Sequence, residues 1–346
     1  MIPPLPSRHA LAPHSSRYAA VGEARLSLIL LSDFPGPALT RGLFEYQLQE
    51  RERELRSEHM DGKPDRPLLK SMEPVTDGFV GRVFNRVESG GTAEFGRVLE
   101  LLGWKNGYRI DMEIKATDGR DLRPNPQNAG TVWESIEKRV IEEYKNRNDT
   151  PQKLALLQSL YERVHGRAEN TIPTDKGLCI ANGFISGPAI EEEGLSMAFD
   201  LKGSPDVYFM LQEHGDLHEE KSLLERSGQV EKEMKESGTQ TIRKGKKDIS
   251  GHPFEEWLWH GPTPDRVQGT MFALHGNEVA KGADKPFVIF ELFNGFRVLQ
   301  SSDLSDEQKE RLGLYKDLEK ATLSPAAALA LWDKIIPTLR RRPGAF

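Results

Sequence analysis

The sequence predicts an α+β protein of two domains, each a mainly antiparallel sheet packed with helices. Three observations carry that expectation. The chain has 346 residues, and domains usually hold about 100–200. Apolar and polar residues alternate over short runs joined by brief connections, as antiparallel strands with one wet face require. Helical stripes lie among these runs, and the polar, proline-containing stretch from Gly166 to Lys176 interrupts the chain near its middle. A boundary there gives domains over residues 1–170 and 171–346.

In the first half, residues 1–24 read as a loose lead-in, and Leu26 to Leu31 as a strand. Thr40 can cap a helix that runs to about Glu58, with Phe44, Leu48, Arg51 and Leu55 at helical spacing. Phe79 to Val87 and Gly107 to Ala116 read as strands. In the second of these, Ile110, Met112 and Ile114 alternate with Arg109, Asp111, Glu113 and Lys115. After a turn cluster around Pro124, Pro126 and Asn128 comes a helical pair. Trp133, Ile136, Val140 and Tyr144 form the first apolar stripe. Leu154, Leu157, Tyr161 and Val164 form the second, behind a Thr150-Pro151 helix start.

The second half is richer in strands. Leu178 to Ile185 reads as one. Leu195, Met197, Phe199 and Leu201 alternate along the next, and the acidic segment Gly187 to Gly194 would join the two as a hairpin tip. Val207 to Leu211 follows, then a helix from about Leu217 to Met234. Thr239 to Lys247, Glu255 to His260, Gln268 to His275 and Phe287 to Leu292 complete the sheet. A last helix begins at Ser324-Pro325, buries Ala328, Leu331, Trp332 and Ile335, and ends near Ile336 because Pro337 cannot continue it.

Composition narrows the function. Forty-seven basic and 53 acidic residues give a net charge of -6 with the signs interspersed. Such a surface sets up no field for nucleic acid, though it can steer toward a basic protein. One cysteine, Cys179, makes an intramolecular disulfide impossible. No apolar run approaches the ~20 residues of a transmembrane helix, and the opening residues carry no signal-peptide pattern.

No motif assembles a catalytic or cofactor site. Gly245-Lys246 lacks the glycine spacing and the following hydroxyl of a phosphate loop. His214 and His218 are four apart, but Gly215 between them disfavours a shared helical face for zinc. Ser186 sits one residue off a nucleophile-elbow pattern and leads into a turn. Cys179 lies in an apolar strand, where a lone cysteine is more often a small buried hydrophobe than a nucleophile. Phe254, Trp257 and Trp259 are an anchor candidate for a partner, although the shared strand face of the two tryptophans favours core. The expectation is a protein that grips another protein and is not an enzyme, with no cofactor and no metal. A hydrolase using Cys179 or the His214/His218 pair, and a non-inhibitory adaptor, are the competing readings.

A resemblance sharpens this. Gly177 to Ile185, the hairpin Glu191 to Asp200, Ser222-Leu-Leu-Glu-Arg226, Ile242 to Gly251 and Glu255-Glu-Trp-Leu258 occur in the order seen in one family. Phe287 to Phe290, the Ala328 to Asp333 helix and the Arg341 to Ala345 tail continue it. The order resembles the C-terminal domain of immunity proteins against type VI secretion lipase effectors. Phe44 to Leu55 and Gly81-Arg82 fit the first half more loosely. The resemblance implies a periplasmic protein that binds a cognate phospholipase as a heterodimer, covering its active site or holding its lid. An inserting element is then expected at the acidic tip, with Glu191, Glu192 and Glu193 as partner contacts.

Overall fold

The computed structural model describes residues 11–13, 18–21, 24–29, 40–75, 78–168, 171–180, 182–188, 193–280, 282, 284–297 and 318–342. Its strands are β1 (Leu11–Pro13), β2 (Tyr18–Val21), β3 (Ala24–Ile29), β4 (His59–Met60), β5 (Lys63–Pro67), β6 (Leu69–Pro74), β7 (Val80–Val87), β8 (Gly96–Lys105) and β9 (Tyr108–Thr117). They continue as β10 (Val164–Gly166), β11 (Gly177–Ile180), β12 (Gly183–Ser186), β13 (Glu193–Leu201), β14 (Ser204–His214), β15 (Gln240–Ile249), β16 (His252–Pro262), β17 (Gln268–Gly276) and β18 (Phe287–Asn294). The helices are α1 (Arg41–Ser57), α2 (Val132–Tyr144), α3 (Thr150–Arg163), α4 (Leu223–Glu236) and α5 (Pro325–Ile335). The architecture is α+β, and each of the described strand registers is antiparallel. Contacts divide the chain into two compact units, Ala19–Gly187 and Pro188–Phe346 with Met1–Tyr18.

In the first unit, β2, β3, β9, β8, β7 and β6 lie side by side in that order. Helix α1 covers one face. Phe44 stacks on Trp104 at 5.7 Å and joins Leu48, Leu55, Phe84 and Leu102 in a core cluster. Successive strand residues point to opposite faces, so Gly103, next to Trp104, faces the other way. There Tyr161 of α3 lies against it so closely that a Cβ on Gly103 would come within 2.4 Å of the ring. The side chain of Lys105 crosses to the end of α3. Its ammonium donates to the carbonyls of Glu162 (2.8 Å) and Val164 (3.0 Å) and lies 4.6 Å from the Phe79 ring centre. Glu162 is in the last turn of α3 and Val164 caps it, where a helix leaves carbonyls without intrahelical partners. Burial pushes the Lys105 ammonium below its ordinary pKa.

The second unit repeats the layering. Strands β15, β16, β17, β18, β14 and β13 are neighbours in that order, and β1 also pairs with β13. Helix α5 packs on one face. Trp332 is fully buried, stacks on Phe290 and meets Phe272 edge-on, both at 5.7 Å. Helix α4 packs on the other face, where the Lys244 ammonium lies 5.8 Å from the Trp257 ring centre and reaches Ser227 of the helix. A capping box at Ser222 and Glu225 starts α4. Pro337 falls in a short 3-10 turn, Ile336–Thr338, directly after α5.

Several expectations need correction. The lead-in contains strands β1 and β2. Strand β3 covers Ala24–Ile29, while Leu30 and Leu31 lie outside the described residues. The segment Leu178 to Ile185 is two strands, not one, folded back at Asn182, which adopts a left-handed φ of 56°. Strand β12 therefore pairs with β10 and β11 in a small sheet of its own, while β13 pairs with β14. The Gly187 to Gly194 segment does not close a β12–β13 hairpin. Helix α4 begins at Leu223, after Ser222 has capped it, and not at Leu217. Thr150 is already helical, and Asp149 before it gives its carboxylate to the Thr117 amide at 2.6 Å.

Replacing Lys105 by Met keeps the stem but leaves helix carbonyls without a charged donor. Urea unfolding of Lys105→Met is expected to show a loss of about 2–3 kcal/mol, and a midpoint equal to wild type would refute the capping role.

Candidate partner interface

Of the three expected contact residues, Glu191 and Glu192 lie outside the described residues. Glu193 is the first residue of β13. The structure accordingly gives no geometry for that tip.

The other candidates are dispersed. His214 ends β14, and His218 is exposed in the loop before α4, so the two share no helix. Among the described residues no group of three or more His, Cys, Asp or Glu side chains could hold a metal ion. Cys179 is half-buried in β11 opposite Phe184. The Ser186 hydroxyl donates to the Arg163 carbonyl at 3.1 Å, so its proton is committed to the backbone. The His165 ring approaches it at 3.3 Å, a juxtaposition that sequence spacing could not reveal. Burial lowers the His165 pKa. Trp257 is core, with its indole N–H donated to Thr241 at 3.0 Å. Trp259 meets it edge-on at 5.4 Å.

The surface that stands out is α2. None of its residues is buried, and Val132, Trp133 and Ile136 are 76%, 60% and 40% exposed. An amphipathic helix ordinarily turns such a stripe to the core. Here the helix sits on a different side. Glu137 accepts from the Asn125 amide (2.8 Å) and the Asn128 side chain (3.2 Å), and Glu134 accepts from the Gly130 amide (2.7 Å). At the far end Tyr144 stacks on Phe95 with ring centres 4.0 Å apart, and Arg147 covers its outer face at 4.5 Å. The Tyr144 carbonyl meets Gly119 so closely that a Cβ there would come within 1.9 Å of it. At 100° per residue, Glu137 lies about 100° and Tyr144 about 80° round the helix from Ile136, so the seating side is turned away from Ile136 and Val132, and Trp133 stands between the two. The flanking charges pair among themselves: Lys138 with Glu134, Lys145 with Glu142, Arg147 with Glu143.

Elsewhere charge is held inside. Burial pushes the Glu100 carboxyl up, yet Arg51 at 2.7 Å and Arg86 at 2.7 Å hold it below the ordinary range. Glu291, between Met210 and Ala273 in the register, has burial as its main influence, and its pKa is raised despite His275.

Two family models match the chain. The model for the C-terminal domain of Tle cognate immunity protein 4 matches residues 171–344, and that for its N-terminal domain matches residues 27–167. The chain belongs to this family of immunity proteins. No curated protein matches it in sequence. Among solved structures, a chain of the crystal structure of the Tle4-Tli4 complex is 18% identical with a TM-score of 0.62, covering 98% of this chain and 100% of that one. The apo immunity protein TplEi of the type VI secretion system from Pseudomonas aeruginosa is 17% identical with a TM-score of 0.60, covering 97% and 93%. The same protein complexed with an "L" peptide is 18% identical with a TM-score of 0.56, covering 97% and 100%. These likenesses show that this immunity protein shares the fold of those proteins. No helix among its described residues is long and apolar enough to cross a membrane.

Two outcomes follow from this geometry. Trp133→Ala is expected to change unfolding stability by less than about 0.5 kcal/mol, whereas Tyr144→Ala costs about 1–3 kcal/mol. Equal losses in denaturant titrations would show that the stripe, too, is structural. For Glu291, the raised folded pKa means that ionisation costs stability, and the cost is relieved as pH falls from above that pKa toward the ordinary 4.5. Glu291→Gln should therefore raise the melting temperature most at pH 8, with the gain shrinking toward pH 5. A gain independent of pH would contradict this.

Proposed function

We propose that the protein binds the lipase effector encoded beside it and stops lipid hydrolysis by covering the active site or holding the lid. It acts in the periplasm as one half of a heterodimer and catalyses nothing itself. The observation that carries this reading is the match of both halves of the chain to the immunity-protein models. The fold shared with a chain of the Tle4-Tli4 complex supports a lipase as the partner. The non-enzymatic reading is supported by the commitment of the Ser186 proton to the backbone and by the separation of His214 from His218. The family-model spans support a division into domains 1–170 and 171–346. Glu191, Glu192 and Glu193 are proposed as contacts because three adjacent carboxylates can meet a basic patch on the partner.

Purified protein mixed with the lipase encoded beside its gene is expected to form a one-to-one complex in which vesicle hydrolysis is lost. No complex, or a complex that still cleaves lipid, would sink the inhibitor reading. Reversing Glu191, Glu192 and Glu193 to Lys should weaken the complex at least about tenfold, a loss of 1.4 kcal/mol. Unchanged affinity would remove the acidic tip from the interface.

A further inference from the structure

We infer that β15 is a guarded sheet edge, at which Lys244 and Lys246 stop a second copy of this chain from adding its own β15. The inference stands apart from the lipase-binding reading and concerns what keeps the chain from pairing with itself.

The backbone sets the risk. Strand β15 is ten residues long and stands last in the strand order, paired with β16. Among the described residues, no hydrogen bond outside that pairing reaches an amide or carbonyl of residues 240–249. Gln240, Thr241, Ile242, Lys244, Lys246 and Asp248 are exposed. An open edge of this length is a template for another strand. The same strand of a second copy matches it in length and twist, and an antiparallel pair about a twofold axis closes on itself. Strand β6, last at the other end of the order, is blunted by other means. It has six residues, a register shift between Leu69 and Ser71, and Pro74, which has no amide to donate.

Charge answers the risk at β15. Arg243, Lys244, Lys246 and Lys247 place four cations within five residues. Arg243 turns inward to Glu256 and Asp333, and Lys247 lies 3.5 Å from the same Glu256. Lys244 reaches Glu231 at 2.9 Å and stays exposed. Lys246 is exposed and has no ion pair among the described residues; Glu255, opposite it on β16, accepts the Leu224 amide at 2.8 Å. Side chains two apart on a strand share a face. Pairing two copies about Gly245 therefore sets Lys244 of each directly opposite Lys246 of the other, and Arg243 opposite Lys247. Like charges directly opposed destabilise a strand pair. A slip of one residue brings Lys244 against Lys247 or Arg243 against Lys246, so the repulsion survives it. Gly245 adds no side chain to pack across the seam, and the register shift between Thr241 and Arg243 interrupts the regular run near its start.

Sedimentation of the full-length chain tests this, with wild type, Lys246→Arg and Lys246→Glu compared at low and high salt. Circular dichroism confirms that each is folded. Wild type and Lys246→Arg are expected to sediment as monomers at low salt. Lys246→Glu turns two repulsive oppositions into attractive ones. Its mean mass is expected to move toward twice that of the monomer as concentration rises, and to return toward the monomer at about 1 M salt, where charges are screened beyond ~3 Å. A Lys246→Glu variant that stays monomeric at every concentration overturns the proposal, as does wild type that already dimerises at low salt. A Lys246→Glu dimer that salt leaves intact overturns it too, because such a contact does not run through the opposed charges.

Discussion

Glu256 of β16, next to the edge of the C-terminal sheet, is 1% exposed, and three elements meet on its carboxylate. Arg243 of β15 donates twice, at 2.7 and 3.2 Å, and the Trp332 indole of α5 donates at 3.2 Å. The same guanidinium reaches Asp333 at 2.6 Å. An ionised carboxylate buried without such donors would cost several kcal/mol, so strand, neighbouring strand and helix must take this arrangement together. Glu100 does the same in the N-terminal unit, where Arg51 of α1 and Arg86 of β7 converge on β8. In both units the constraint has one origin. Glu256 and Glu100 each lie between a strand and the helix that covers it, and each is mated across elements.

Smaller stations extend this wiring. Asp206 accepts from the Gly295 and Thr322 amides and from the Thr322 hydroxyl, tying β14 to the segment that leads into α5. Glu278 accepts from the Leu223 amide at the start of α4, from Arg226 and from His275. A carboxylate at a helix N-terminus satisfies amides that the helix leaves open. Helices α1, α3, α4 and α5 are each fixed by a buried face. Helix α2 alone among the described helices of the first unit buries no residue, and that leaves its apolar side available to a partner.

The parts legible in the sequence were those with a single wet face. Strand β9 alternates cleanly and was expected almost residue for residue, and α5 announces itself by Ser324-Pro325 and Pro337. Strand β8 was missed although it is central. Val98, Leu99, Leu101 and Leu102 are all buried because helices cover both sides, so no alternation survives to be read. The break at Asn182 was missed because a left-handed asparagine leaves little trace in a pattern of apolar residues. For the interface, the stripe of α2 was visible but its direction was not. Which side of a helix faces the protein is decided by Asn125, Asn128 and Phe95, which lie outside the helix itself. The fold class followed from alternation and helical stripes, and the family from motif order, which survives where individual contacts do not.

The pairing of charge on and just beyond α2 has a kinetic meaning. With Glu134, Glu142 and Glu143 already mated to Lys138, Lys145 and Arg147, docking through this helix releases no ions and gains little from long-range attraction. Encounter at this face would then proceed at the unsteered rate of roughly 10⁵–10⁶ M⁻¹s⁻¹ and vary little with ionic strength. Discrimination between one toxin and its relatives would reside in residence time. For a protein that guards its own cell in surroundings whose salinity is set from outside, a face whose encounter varies little with salt is a useful property.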